Sequence, residues 1–194
     1  MATSCNLNDP EVQRAAMHYL DTVGAAVAVM APTCTPYGPL SNFNYVMHYD
    51  SWLESYREAS PHGKFCGRVA IIQLDLGRDF MNEQPYPSWL YDEPPWGNVM
   101  QHPRVGTRII DQCMTGQRGP QGGPVKKPTC IVASDPLLLT PLERFVCDNW
   151  HGGLGPGHEH PTGTGLAVLQ VWTHTLARAI ADGIQKLVEQ TYRG

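Results

Sequence analysis

A short apolar run near the start of the chain, residues 25–31, limits the possible folds more than any other feature. It is too short for an ordinary helix, and Gly24 and Pro32 close its two ends, so we predict a buried strand. Pro32 and Pro36 stiffen the turn that follows and hold the thiol of Cys34 between them. Loops at strand ends carry the chemistry of α/β folds, so Cys34 is a candidate reactive thiol. The alternative is a small apolar residue that fills a loop.

Helical patterns flank this strand on both sides. The segment before it begins with Asn8 or Asp9 as a helix cap and Pro10 in the first turn. The apolar face of this helix is predicted to consist of Val12, Ala16, Tyr19 and Leu20. A polar helical region follows the strand and its loop, and we expect Pro61 and Gly63 to interrupt it.

The rest of the chain adds three strand patterns and one long helix. The strands are predicted at residues 78–85, 105–113 and 129–134, and the helix at residues 165–192. The apolar stripe of this helix contains Leu169, Trp172, Leu176, Ile180, Ile184 and Leu187. Helices that alternate with strands predict one α/β domain with a mostly parallel sheet and a long C-terminal helix.

The composition limits the functions that the chain can have. A chain of 194 residues with 42% hydrophobic residues is sufficient for one domain with a real core. A formal net charge of -4 gives no broad attraction to nucleic acid, so a DNA-binding role requires a local basic patch. We find no apolar stretch that predicts a membrane span and no signal-peptide pattern. The six scattered cysteines are typical of reduced thiols, and we expect an intracellular protein of the nucleus or cytoplasm.

Two further motifs carry side chains suited to chemistry. Glu83 lies near the end of a predicted strand, where burial can raise a carboxyl pKa enough for general acid catalysis. An exposed turn glutamate is the alternative. The second motif, residues 111–129, places amide and basic side chains where they could contact phosphates or base edges, although such loops are often only solvated. These side chains are Gln112, Arg118, Lys126 and Lys127.

The glycine-rich segment 147–161 is a candidate metal site. It contains Cys147, His158 and His160, and thiolate and imidazole are the ligands that zinc prefers. In an extended segment His158 and His160 point the same way and can share one ion. The fourth ligand is left open among His151, Cys113 and Cys130. The alternative is that the histidines cap the final helix or bind backbone carbonyls.

The order of these motifs resembles that of the cytosine-5 DNA methyltransferases. Residues 31–44 are similar to the Pro-Pro-Cys catalytic loop of that family, with Thr33 in place of the second proline. Residues 77–85 resemble the later strand that ends in Glu-Asn, with Gln84 in place of the asparagine. The order of later motifs is similar to methyltransferase-like domains in retroelement-type polyproteins of protists and fungi. Those motifs are residues 111–116, 126–129, 146–150 and 158–160, and the whole resemblance covers residues 8 to 183.

This resemblance implies a Rossmann-like methyltransferase fold that acts on DNA with S-adenosylmethionine. A thiolate adds to C6 of cytosine and an acid protonates N3, which makes C5 nucleophilic enough to accept a methyl group. The base has to leave the duplex to reach these groups. Cys34 would be the nucleophile and Glu83 the acid. The substrate-binding residues would be Asn44, Gln112, Arg118, Lys126 and Lys127.

One part of the family pattern has no counterpart in this sequence. The family begins with a strand and a glycine-rich turn that bind the cofactor, and nothing comparable precedes residue 25. We therefore expect a partial domain that lacks the first cofactor-binding strands and requires a protein partner or a missing N-terminal half for activity. The rival expectation is a non-catalytic scaffold subunit on a degenerate methyltransferase fold, with its exposed strand edges covered by a partner or another copy.

Overall fold

The first helix, α1 (Pro10–Val23), is confirmed in the computed structural model, which describes residues 5–149, 157–161 and 163–192. The carboxylate of Asp9 accepts a hydrogen bond from the backbone N–H of Glu11 at 2.8 Å, which caps the first turn. Gly24 ends the helix in the left-handed conformation, with φ 65°. Tyr19 was predicted on the apolar face but is 63% exposed.

The described strands form one four-stranded mixed sheet in the spatial order β1-β2-β4-β3. Strand β1 is parallel to β2, whereas β4 is antiparallel to both β2 and β3. The predicted α/β class is confirmed, but the prediction of a mostly parallel sheet is wrong. The strands are β1 (Val27–Met30), β2 (Asp79–Pro85), β3 (Gly106–Asp111) and β4 (Pro128–Ala133).

The connections between strands explain this topology. Parallel neighbours need a crossover, usually through a helix, and the helices α2 (Ser41–Met47) and α3 (Tyr49–Asp75) provide it between β1 and β2. Between β3 and β4 the chain forms only a 3-10 turn, Gln112–Thr115, and a glycine-rich loop closed by a bridge between Arg118 and Pro124. This connection contains no crossover helix, so β4 returns antiparallel to β3.

Helix α3 passes through Pro61 without a break, so the predicted interruption there is wrong. Side chains from other elements bind the carbonyls of this turn. Gln13 Nε2 donates to the Pro61 carbonyl at 3.1 Å, and Trp96 Nε1 donates to the Gly63 carbonyl at 2.9 Å. These tertiary contacts fix the turn around Pro61 against other parts of the chain.

The predicted C-terminal helix is divided into two pieces. A 3-10 segment, Gly163–Gln170, precedes α6 (His174–Tyr192). The hydroxyl of Thr173 accepts from the backbone N–H of Leu176 at 3.2 Å and donates to Thr115 Oγ1 at 2.8 Å. This cap begins a new helix and leaves Trp172 outside it.

Helices cover both faces of the sheet, because successive strand side chains point to opposite faces. One core combines α1, α3 and α4 (Trp96–Met100) with strand residues such as Phe80. The other combines α5 (Pro136–Leu139) and α6 with strand residues such as Met81. Within the described residues, none of the helices has the length and apolar character needed to cross a membrane.

Substituting Gly67 in α3 by alanine is expected to destabilise the protein by about 1–3 kcal/mol, because the side chain overfills a packed contact. A Cβ at this position would lie 2.9 Å from Pro95 Cγ and 3.1 Å from Trp96 Nε1. The matched control is Gly97→Ala in α4, where a Cβ meets no atom within 4 Å. Urea denaturation measures both variants. Equal stability of Gly67→Ala and the wild type would contradict the packing described.

Candidate active site

The loop that carries Cys34 begins directly after β1 and is fixed by hydrogen bonds. The Cys34 carbonyl accepts from the backbone N–H groups of Tyr37 at 2.9 Å and Gly38 at 3.0 Å. Gln84 Nε2, on β2, donates to the Pro32 carbonyl at 2.8 Å. The residue Cys34 is partly exposed. The loop therefore holds Cys34 in a defined position against β2.

Aromatic side chains of α2 and α3 support the far side of this loop. Trp52 Nε1 donates to Ser41 Oγ at 2.8 Å, and the Ser41 hydroxyl donates to the Pro36 carbonyl. Trp52 also stacks on Tyr56, with ring centroids 5.3 Å apart. Asn44, a predicted substrate-binding residue, lines a cavity of about 310 Å³ next to Pro36 and Thr35. Asn44 is therefore close to the Cys34 loop.

Glu83 lies on β2, the parallel neighbour of β1. The last residue pair between the two strands is Met30 and Asn82. Glu83 follows Asn82, so it lies level with the first residue after β1, where the Cys34 loop begins. The side chain is buried, with 8% of the residue exposed. Among the described residues its Oε1 atom has no hydrogen-bond partner, and Lys127 Nζ is 3.9 Å away.

Burial is the main cause of a raised pKa at Glu83, and it exceeds the lowering effects of the Lys127 charge and of a hydrogen bond from Trp172. A carboxyl group with a raised pKa keeps its proton to higher pH than an ordinary glutamate. Such a group is able to donate a proton to a bound base, as a general acid must.

The pKa of the Cys34 thiol depends on the same two neighbours. Burial is the largest cause and holds the pKa of the thiol above its ordinary value, while the positive charge of Lys127 lowers the pKa and the negative charge of Glu83 raises it further. Cys34, Glu83 and Lys127 are therefore close enough to interact electrostatically. When Glu83 is protonated its raising effect on Cys34 disappears, so the acid form of Glu83 favours the thiolate form of Cys34. A nucleophile and an acid need those two states at the same time.

Lys127 is held in this site by the segment before α6. Its Nζ donates to the Leu169 carbonyl at 3.0 Å, and the residue directly precedes β4, which pairs with β2. The sequence predicted Lys127 as a substrate-binding residue but gave no sign that it lies beside Glu83. Trp172 was predicted only as part of a helix stripe, yet it contributes a hydrogen bond to Glu83. Gln84, which ties the loop to β2, was noted only as a departure from the family pattern.

The other predicted substrate-binding residues lie elsewhere on this part of the molecule. Gln112 is buried at the end of β3, where its Nε2 donates to Thr129 Oγ1 at 2.9 Å. Lys126 Nζ donates to Asn149 Oδ1 at 3.0 Å. Arg118 is exposed in the glycine-rich loop. Of the predicted DNA contacts, the structure therefore brings Lys127 to 3.9 Å from the Glu83 carboxylate and Asn44 near the Cys34 loop.

The predicted metal ligands are brought together only in part. Ligand atoms of Cys113, Cys147 and His158 all lie within 4.8 Å of one another. His160 is exposed and does not belong to this cluster, and Cys130 lies in β4. His151, another candidate ligand, lies outside the described residues. Of the alternatives for a further ligand, the structure thus favours Cys113.

The described residues do not fit the glycine-rich turn that the methyltransferase resemblance implies for S-adenosylmethionine. In the part of the chain that the structure describes, β1 is followed by the proline-flanked Cys34 loop and β3 by a 3-10 turn. Strand β2 is followed by Tyr86 and Pro87, and β4 by Ser134 and Asp135. The one glycine-rich loop among them, between β3 and β4, leads into a strand rather than a helix, and its N–H groups at Gln121 and Gly123 already bind the carboxylate of Glu159.

Comparisons of the chain with protein-family models, with curated proteins and with solved structures find no match. The function therefore has to be argued from the side chains of the site itself.

Proposed function

We propose that Cys34 and Glu83 form a site that adds covalently to cytosine bases of DNA, as the methyltransferase resemblance implies. The observation that carries this proposal is the position of Cys34 and Glu83 at the adjacent ends of two parallel strands, with Lys127 Nζ 3.9 Å from the Glu83 carboxylate. A partly exposed thiol beside a buried acid is the pair that addition to a pyrimidine ring requires.

The chemistry assigns one role to each side chain. The Cys34 thiolate forms a bond to C6 of cytosine while Glu83 donates its proton to N3, and the electrons of the C5–C6 double bond move toward C5. C5 then takes a proton from water. The hydroxide left from that water removes the original C5 proton, expulsion of the thiolate restores the C5–C6 double bond, and Glu83 recovers its proton from N3. The positive charge of Lys127 stabilises the Cys34 thiolate before it adds to the base and the Glu83 carboxylate after it has donated its proton.

A direct test is the exchange of the C5 hydrogen of cytosine for deuterium from the solvent. This exchange requires addition and elimination of the thiol but no methyl donor. We would incubate the full chain with random-sequence oligonucleotides, single-stranded and double-stranded, in D₂O and follow the cytosine H5 signal by NMR. Exchange above the protein-free rate supports the proposal, and exchange at that rate with both substrates contradicts it.

The full chain is expected to bind S-adenosylmethionine weakly or not at all, because its described glycine-rich loop leads into a strand and its N–H groups at Gln121 and Gly123 are occupied by the Glu159 carboxylate. Isothermal titration calorimetry with the cofactor measures this directly. The expected result is no saturable heat at micromolar protein concentration. Tight binding with one cofactor per chain would contradict the prediction and would require a cofactor site formed by other residues.

A second candidate function, a scaffold subunit, is favoured by one specific feature. Among the described residues β1 has a hydrogen-bonded neighbour on one side only, and Val29 on this edge strand is 41% exposed. An edge of this kind can accept a strand from another chain. Size-exclusion chromatography with light scattering distinguishes the two functions. A stable assembly without C5 exchange favours the scaffold, and a monomer with exchange favours the enzyme.

A further inference from the structure

We infer that Cys113, Cys147 and His158 bind a zinc ion that fastens together three segments of the chain. The inference is independent of the proposed reaction at Cys34, because none of these residues belongs to that site. Two buried cysteine thiols and one imidazole are a ligand set that favours zinc over magnesium or calcium, which prefer oxygen ligands.

The spacing of the ligand atoms suits a single ion. In a tetrahedral site with Zn–S of about 2.3 Å and Zn–N of about 2.0 Å, the sulfur and nitrogen atoms are about 3.5 Å apart. Cys147 Sγ and His158 Nε2 are 3.5 Å apart. A thiol–imidazole hydrogen bond would explain this pair alone. Cys113 adds a third potential ligand at the same place, because its thiol hydrogen-bonds with Cys147 and its sulfur lies within 4.8 Å of both atoms.

Backbone hydrogen bonds fix the position of Cys147 and of its sulfur atom. The backbone N–H of Asn149 donates to Cys147 Sγ at 3.2 Å, and Asn149 adopts the left-handed conformation, with φ 68°. Asparagine tolerates this conformation better than most residues, so the turn is compatible with its sequence. The backbone N–H of Cys147 in turn donates to Asp111 Oδ2 at 2.9 Å, which fixes the residue against the end of β3.

The three ligands come from segments that polar contacts hold together. Cys113 lies on the 3-10 turn after β3, and Cys147 lies in the segment that follows the 3-10 turn Thr140–Leu142. His158 precedes Glu159, whose backbone N–H donates to the Pro124 carbonyl at 2.8 Å and whose carboxylate accepts from the N–H of Gly123 at 2.9 Å. A zinc ion would add a strong link where few apolar side chains pack.

Cys113 and Cys147 are each 7% exposed, whereas His158 is only partly buried. The described residues supply three ligands, as in zinc sites whose fourth position takes water or another group. Since the thiols are almost inaccessible and the imidazole is not, that fourth position would lie on the solvent side. This arrangement predicts slow but complete removal of the ion by a strong chelator.

The test begins with the full chain, purified without a histidine tag from zinc-containing medium and measured by mass spectrometry of metals. We expect about one zinc per chain and a lower melting temperature after chelation. His158→Gln should reduce the zinc content below about a tenth of an equivalent, while the matched control His160→Gln retains it. Cobalt substitution of the wild type, which does not depend on any variant folding, should give a thiolate-to-cobalt charge-transfer band.

Three results would overturn the inference. The first is a zinc content below about a tenth of an equivalent in the wild type, together with no cobalt band. The second is an unchanged melting temperature after complete chelation. The third is an equal loss of zinc in His158→Gln and His160→Gln. A disulfide between Cys113 and Cys147 in freshly purified protein, detected as a mass two hydrogens lower, would also overturn it, since a disulfide cannot supply two thiolate ligands.

Discussion

Substituting Cys34 by alanine is expected to reduce C5 hydrogen exchange in cytosine to the rate measured without protein. The reaction requires a covalent bond from sulfur to C6, and alanine offers no atom that can form it. Cys34→Ser should lose nearly all of the exchange as well, because a hydroxyl is far less ionised than a thiol near neutral pH. NMR of the H5 signal compares both variants with the wild type under the same conditions.

A matched control shows whether the loss of exchange is specific to Cys34 or follows from the loss of any thiol. Cys5 is an exposed cysteine near the start of the described residues, and Cys5→Ala should keep the wild-type exchange rate. Because Cys34 is partly exposed in a loop, Cys34→Ala should leave the fold intact, which circular dichroism and the melting temperature verify. Exchange by Cys34→Ala at the wild-type rate would remove Cys34 from the reaction.

Substituting Glu83 by glutamine is expected to slow the exchange by about 100- to 10,000-fold, the usual contribution of a general acid. Glutamine keeps the shape of the side chain but has no acidic proton for N3. The control is Glu143→Gln, which changes an exposed carboxylate paired with Arg108 at 2.7 Å and should leave the rate unchanged. A rate for Glu83→Gln within a few-fold of the wild type would mean that Glu83 does not act as the acid.

The pH dependence of the free energy of unfolding, compared between the wild type and Glu83→Gln, tests the raised pKa of Glu83. In the unfolded chain Glu83 titrates at its ordinary pKa of 4.5, and in the folded protein burial raises that pKa. As the pH rises from this ordinary value through the folded value, ionisation favours the unfolded chain, so the wild type loses stability. Glu83→Gln lacks this loss and should gain stability relative to the wild type between pH 4 and pH 8. Urea denaturation across this range measures it, and a constant difference would contradict the raised pKa.

The local features of the candidate active site could be predicted from the sequence because they depend on nearby residues. Gly24 and Pro32 bound a short apolar run, and the strand they indicate is β1, although the prediction that this strand is buried holds only for alternate residues, since Val29 is 41% exposed. The Cys34 loop and the position of Glu83 near a strand end follow from similar local signals. The α/β class and the helix α1 were predicted correctly for the same reason.

The features that depend on distant residues could not be predicted. Lys127 lies beside Glu83 only because β4 pairs between β2 and β3, and hydrophobic periodicity carries no information about strand order. The contact of Cys113 with Cys147 and His158 likewise joins three separate segments. Helix α3 continues through Pro61, where Gln13 and Trp96 from other parts of the chain donate to nearby carbonyls, and a local rule about proline cannot include such tertiary contacts.

The central claim is that the Cys34 sulfur adds to C6 of a pyrimidine base in DNA. Its most direct measurement uses an oligonucleotide in which pyrimidin-2-one replaces cytosine, because the ring without its amino group is more electrophilic at C6. The thiolate and one proton add across the ring, and no bond to a leaving group breaks. Peptide mapping by mass spectrometry should find one oligonucleotide attached per chain, on the peptide that contains Cys34, and much less of this adduct in Glu83→Gln. No adduct, or an adduct on another cysteine while Cys34 stays unmodified, would contradict the claim.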